Sequence, residues 1–278
     1  TSVATSKVDV PRLPADAHPF ATSIAVAGGG SVGGTAVAGA VVVDKWEIDA
    51  SASIGANARV NRAGTFAASA QQSLTVFASN QTALTGIAGG LGVSTGAFGV
   101  GAGLELAILD KSTRAFINAA ASVAAGGAVL LQADSKETIV SVAATAGGAA
   151  TSGIAGSASV LVVTTLTDAH VGRLAAASAT ILEGGSVSII ADSALKATQI
   201  SGAIGLGGTA GIGAANATLV HDGTTLAFVG VGATARAKAG SLLITAKSAE
   251  DVLAIAAGVG VGVGVGVCAD VGLFRKTT

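Results

Sequence analysis

The run "GGGSVG" at 28–33 fits the fingerprint G-x-G-x-x-G, and Asp44 follows it in "VVVD". In a dinucleotide site such glycines let the backbone approach a pyrophosphate, and a downstream carboxylate holds a ribose hydroxyl. That chemistry needs "SVGGTAVAGA" to be a helix. Small residues interrupt it, and similar runs recur along the chain, so a structural role is expected of it and no cofactor is assigned.

Other reactive types are scattered. His18, His170 and His221 are isolated, and the pairs Asp168/His170 and His221/Asp222 are expected at solvated polar corners. The calcium nonapeptide G-G-x-G-x-D is absent from the sequence, so no metal is assigned. Glycoside cleavage wants two carboxylates on one face, whereas the 16 acidic residues are dispersed. Asp44, Asp110, Asp168 and Asp222 are expected to align as a column at successive corners, which reads as a solubility device.

Asn80-Gln81-Thr82 and Asn216-Ala217-Thr218 are formal glycosylation sequons. The threonines at 164–167 and 223–226 lack the regular T-x-T that an ice-binding face requires. Trp46 and seven Phe are too few for an aromatic sugar-binding groove, and Cys268 reads as a small apolar group in the last strand. No catalytic residue is assigned, and the chain is expected to be non-enzymatic.

The elements that carry these residues are announced by "GVGVGVGVGV" at 258–267. Glycine costs about 1 kcal/mol in a helix interior and valine is stiff there, so alternation of period two means a strand. The pattern [Val/Leu]-x-[Val/Leu/Ile]-x-Ala ends at Ala78, Ala133, Ala191 and Ala246, with spacings of 55, 58 and 55. After each anchor comes a polar segment read as a turn, then a glycine-rich run, then a short charged segment read as a corner. A period of this size predicts a solenoid.

Half a repeat as one straight strand would span roughly 90 Å at 3.3 Å per residue, so each half is expected to bend. The phase shift between Gly90 and Gly92 and the glycines at 99, 101 and 103 marks a corner or bulge. The fold expected is all-β: a parallel β-helix of about 56-residue repeats, with valine and isoleucine inward and Gly, Ala, Ser and Thr outward. On that assignment Val263→Asp is costly and Gly262→Ala is tolerated in an isolated solenoid. Residues 1–21 hold all three prolines and read as an extended leader or linker. Residues 22–278 read as one solenoid domain, with repeats at roughly 22–81, 82–137, 138–195, 196–250 and a partial 251–278.

Composition narrows the function classes. The net charge is −1 with 11% charged residues, so no basic footprint for nucleic acid exists. Aromatics are 3% and glycines number 41, so the core must be thin. Long uncharged stretches reach membrane-span length, but their Gly, Ser and Thr content makes lipid transfer weak, and no integral membrane span is expected. A membrane barrel would want aromatic girdles, and the chain has one Trp and no Tyr. Opening with "TSVATSKV" and no initiator methionine, the chain reads as a mature product or an excised piece.

Segments such as "VGRLAAASATILEGGSVSIIADS" and "FINAAASVAAGGAVLLQADS" resemble the β-strand-repeat regions of large secreted bacterial adhesins, of the filamentous-haemagglutinin-like and autotransporter-passenger type. The resemblance runs from about residue 22 to the end and lies in composition and rhythm. It implies secretion, a cell-surface location and a role as a rigid stalk or adhesive filament. The partners expected are other copies of the chain or adjoining repeats of a larger one, and a host or cell-surface receptor. The alternative is a self-assembling extracellular fibre subunit that polymerises through sheet faces and solenoid ends.

Overall fold

The computed structural model describes residues 2–9, 16–17, 20–62, 70–173, 179–263 and 265–278. It is a parallel β-solenoid, and no helix occurs among the described residues. The chain repeats one order: long strand, long strand, short strand. β1 (Ser2–Asp9) and β2 (Asp16–Ala17) precede the first rung, which comprises β3 (Phe20–Ser31), β4 (Thr35–Ile54) and β5 (Arg59–Val60). The second holds β6 (Leu74–Ser94), β7 (Phe98–Ile117) and β8 (Ser122–Ala124). The third holds β9 (Ala128–Ala149), β10 (Ser152–Val171) and β11 (Ile181–Gly184). The fourth holds β12 (Ser186–Gly207), β13 (Ala210–Val229) and β14 (Thr234–Ala237), and β15 (Leu242–Val261) and β16 (Val265–Thr277) follow.

Three sheets result: β1-β4-β7-β10-β13-β16, the facing sheet β15-β12-β9-β6 with β2 and β3 on β6, and the short β14-β11-β8-β5. The anchor alanines Ala78, Ala133, Ala191 and Ala246 pair in one column, so the spacings of 55, 58 and 55 are rung lengths. Of the segment read as a leader, Ser2–Asp9 is extended and pairs with β4.

The long strands are uninterrupted, and the corner expected within each half lies between them. β6 runs 21 residues and β7 runs 20 without interruption. The glycine phase shift is a turn, at residues 95–97, that carries the chain from one long sheet to the other. These turns stack too: Thr95 N donates to Ser31 O at 3.1 Å, Ser152 N to Ala97 O at 2.9 Å and Thr209 N to Thr151 O at 2.9 Å. The polar segments read as turns and corners instead lie inside the long strands, at 79–82, 134–137, 44–47 and 110–114. Backbone pairing with the rungs above and below satisfies the main chain there, so polarity alone does not force a turn.

The genuine corners lie at the base, where the chain enters and leaves the short sheet. Asn57 (φ 61°), Ala120 (φ 57°) and Gly232 (φ 73°) occupy the same left-handed position in three rungs. Glycine and asparagine take that conformation readily, and alanine does not.

The cross-section is a wedge. At the base, between the long sheets and the short one, Val76, Ile117, Val123, Leu131, Leu182 and Ile189 are buried in one cluster. Further along, Trp46, Leu109, Ile139, Leu161 and Leu219 form a second. Beyond it the inward side chains shrink to Ala88, Ala143, Ala155 and Ala203, and then to glycine. At Gly92, Gly101, Gly147, Gly205 and Gly213 an added Cβ would overlap a main-chain carbonyl of the facing sheet.

This reverses the expected sidedness of the glycine-rich runs. In β15 Gly258 and Gly260 sit at the inner positions, while Val259 and Val261 are 46% and 50% exposed. Valine faces out because the converging sheets leave no volume for a side chain between them. Gly262 (φ 110°) and Val263, which is 79% exposed, belong to the turn, so neither is the inner or outer strand residue expected of it.

Candidate functional site

The fold disperses most of the residues singled out for chemistry. "GGGSVG" spans the end of β3 and the turn at Gly33, and β4 follows it where a dinucleotide site needs a helix. Asp44 points inward from β4, buried, and accepts a hydrogen bond from Ser23 Oγ at 2.7 Å. The four aspartates do not form one column. Asp110 and Asp222 share a position with Glu47 and Thr164, while Asp44 aligns with Ala107, and Asp168 with Arg114. Alternation along a continuous strand sends neighbouring acids to different faces, which a corner reading could not anticipate.

His18 lies outside the described residues. His170 Nδ1 lies 2.8 Å from Asp168 Oδ2, and its ring stacks between Phe116 and Phe228 at centroid distances of 5.1 and 5.0 Å. This ladder braces consecutive rungs. His221 is buried, with Nδ1 3.2 Å from Val163 O. Among the described residues no group of three or more His, Cys, Asp or Glu is placed to hold a metal ion. Trp46 is buried in the core, Thr165 and Thr167 point inward, and the sequon residue Asn80 is wholly buried, beyond reach of a glycan. Cys268 lies on β16.

What the fold does assemble is an apolar exterior around the thin half of the wedge. On the first long sheet Val37, Val100, Ile154 and Ile212 form a ridge across the strands. Gly39, Ala102, Gly156 and Ala214 form the furrow beside it, an open cleft of about 530 Å³. The outward side chains of β7 from Phe98 to Ile108 are all apolar, and the first outward acid is Asp110. The opposite sheet repeats the arrangement with the column Ile24, Ile87, Val142, Ile200 and Ile255 and with Leu91, Ile204 and Val259. Periodicity could have located these rows, but not which side of the sheet they face.

The interior carries two ionisable clusters instead. Glu105 is fully buried where the wedge narrows, accepting hydrogen bonds from Ser141 Oγ and, at 3.5 Å, from Ser159 Oγ. Gln199 Nε2 extends the network to Ser159 Oγ at 3.2 Å and Thr218 O at 3.0 Å. Gly86 leaves the notch that the Glu105 carboxylate fills. Burial pushes the Glu105 carboxyl up to about 7, opposed by the Ser141 hydrogen bond and assisted by the charge of Asp44. Nearer the base, Lys111 and Glu137 form an ion pair of 2.7 Å with both side chains wholly buried.

No protein-family model, no curated protein and no solved structure matches the chain. Among the described residues no helix is long and apolar enough to cross a membrane.

Proposed function

We propose that the chain is a non-enzymatic structural element of a secreted, bacterial-type surface filament, and that it works as a fibre subunit whose solenoids pack side by side. The observation that carries this reading is the paired apolar exterior. The uncharged part of one face covers about 11 residues along β7, β10 and β13 and about nine along β4, where the outward Lys45 ends it, roughly 36 Å by 19 Å at its widest. That is on the order of 700 Å², close to the roughly 800 Å² that each partner contributes to a stable interface. A second copy is the occupant that fits, because a ridge of Val and Ile lies beside a furrow of Gly and Ala on the same face. Both flat sides are apolar, so packing extends beyond a dimer.

A lone stalk, the other structural reading, would leave both faces in water, where patches of this size on a monomer invite association. The resemblance to adhesin repeats supports the secreted surface setting. Free long edges at β15 and β16 suit the addition of further rungs along the solenoid axis, from adjoining chain or from another copy. Sedimentation velocity over a concentration series tests the reading. Association that grows with concentration is expected, and a monodisperse elongated monomer at every concentration returns the stalk reading.

A further inference from the structure

Lys111, Glu137 and Asn80 meet between the two long sheets, and their buried valences are not closed. Lys111 points inward from β7, and its Nζ donates to Glu137 Oε1 at 2.7 Å, to the main-chain oxygen of Asn80 at 2.7 Å and to that of Lys136 at 3.1 Å. Asn80 points inward from the facing β6 and is 0% exposed. Its Oδ1 accepts from Thr82 Oγ1 at 3.1 Å, while its Nδ2 has no hydrogen-bond partner among the described residues. Glu137 Oε1 also takes the Ser135 hydroxyl at 2.6 Å, and Oε2 is unpartnered among the described residues.

The Lys111 amine, the Asn80 carboxamide and the Glu137 carboxyl group thus belong to three residues that are each at most 2% exposed. Burial lowers the Lys111 amine from its ordinary range, with the charge of Glu137 opposing. A buried ion pair is a poor stabiliser relative to apolar side chains of similar size, so its presence in a core of Ala and Val asks for another reason. A neutral amine in a dry site is a nucleophile, and a carboxamide whose oxygen accepts a hydroxyl proton is a polarised electrophile.

We propose that Lys111 and Asn80 become joined by an intramolecular isopeptide bond, with Glu137 carrying the protons. The Lys111 ammonium first gives a proton to Glu137. The neutral Nζ attacks Asn80 Cγ, forming the C–N bond, and the charge that develops on Oδ1 is held by the Thr82 hydroxyl. Glu137 delivers that proton to Nδ2 and takes one from the attacking nitrogen, the C–Nδ2 bond breaks, ammonia leaves, and Glu137 is left protonated. Amine and primary amide become secondary amide and ammonia, with no oxidant or reductant. The bond ties the two long sheets of one rung together and closes a loop around the thin edge, a covalent brace that a load-bearing solenoid can use whether or not copies pack laterally.

Mass spectrometry of the denatured full chain tests this. Trypsin with a glutamate-specific protease cuts at Arg62, Glu105, Lys111 and Arg114, so free chains release residues 63–105 and 106–111 separately. The linked chain yields 63–105 joined to 106–114, because an acylated lysine resists trypsin, and the pair is lighter by about 17 Da, the mass of the ammonia released. Lys111→Met and Glu137→Gln are each expected to restore the full mass. Wild-type chain at its full mass, with 106–111 released, would overturn the proposal. So would a loss of about 17 Da that persists in Lys111→Met, which marks a succinimide at an asparagine. The joined peptide is read from wild-type chain, so a variant that fails to fold does not spoil the test.

Discussion

Gly92 on β6 and Val100 on β7 face each other across the thin edge of the wedge so closely that a Cβ on Gly92 would overlap the Val100 carbonyl oxygen. Gly147 stands in the same relation to Ile154 one rung further on, and Gly205 to Ile212 one rung beyond that. The interior of the thin half is therefore backbone against backbone, and apolar side chains are displaced to the outside.

Adding a methyl group at an inner glycine should force the sheets apart. Gly101→Ala is expected to cost at least the usual overpacking penalty of about 1–3 kcal/mol, since its new Cβ meets the Ala146 carbonyl rather than a movable side chain. Val259→Thr, on the exposed face of β15, should stay within about 0.5 kcal/mol. Urea unfolding of both variants measures the contrast. Equal and small effects would mean that glycine does not face the interior.

The pH dependence of stability follows from Glu105. Its carboxyl is raised from 4.5 to about 7 in the folded chain, so the folded state holds its proton more tightly than the unfolded state. Stability is then greatest below about 4.5, declines as pH rises to about 7 and levels off above, a change on the order of 3 kcal/mol from this group. Asp44, raised by burial against the opposing Ser23 hydrogen bond, contributes in the same direction. Glu105→Gln should flatten the slope and stabilise the chain at pH 8, as read from urea midpoints at several pH values. A midpoint that rises with pH between 5 and 7 in the wild type would contradict the assignment.

The fold class and the rung length were legible because they depend on period and spacing. The alanines at 78, 133, 191 and 246 stand in one column in the structure as they do in the repeat. Sidedness was not legible. Strict Val/Gly alternation defines two faces without saying which is inside, and the usual assumption that valine is buried fails where two sheets converge past side-chain contact. The companion assumption, that a polar segment faces solvent, sent "SNQT" and "DSKE" to turns. Asn80, Thr82, Ser135 and Glu137 are in fact buried inside continuous strands, where their side chains bond one another or Lys111. Such pairing joins residues 31 and 26 positions apart on facing sheets, which no local pattern discloses.

The corner at Ala120 offers an independent check of the rung geometry. Its φ of 57° is shared with Asn57 and Gly232, and an alanine there carries a left-handed cost of roughly 1–2 kcal/mol. Ala120→Gly should relieve that strain, offset in part by added freedom in the unfolded chain, for a net gain of about 0.5–1 kcal/mol. The main-chain N–H that donates to Thr180 Oγ1 at 3.0 Å is retained. A loss of stability in thermal or urea unfolding would show that this corner is not left-handed.

On the proposed reading, copies meet through the outer apolar faces of the thin half. Leu104→Lys with Ile154→Lys places two charges beside the furrow without touching the interior, so circular dichroism should be unchanged. Thr164→Lys places a charge on the same sheet beyond the apolar band, beside Asp110 and Asp222, and serves as the matched control. Electron microscopy and sedimentation velocity at equal concentrations compare the three chains. Wild type and Thr164→Lys are expected to associate into filaments while the double variant remains a folded monomer; a wild type that never associates, or a double variant that assembles as readily, would contradict packing through these faces.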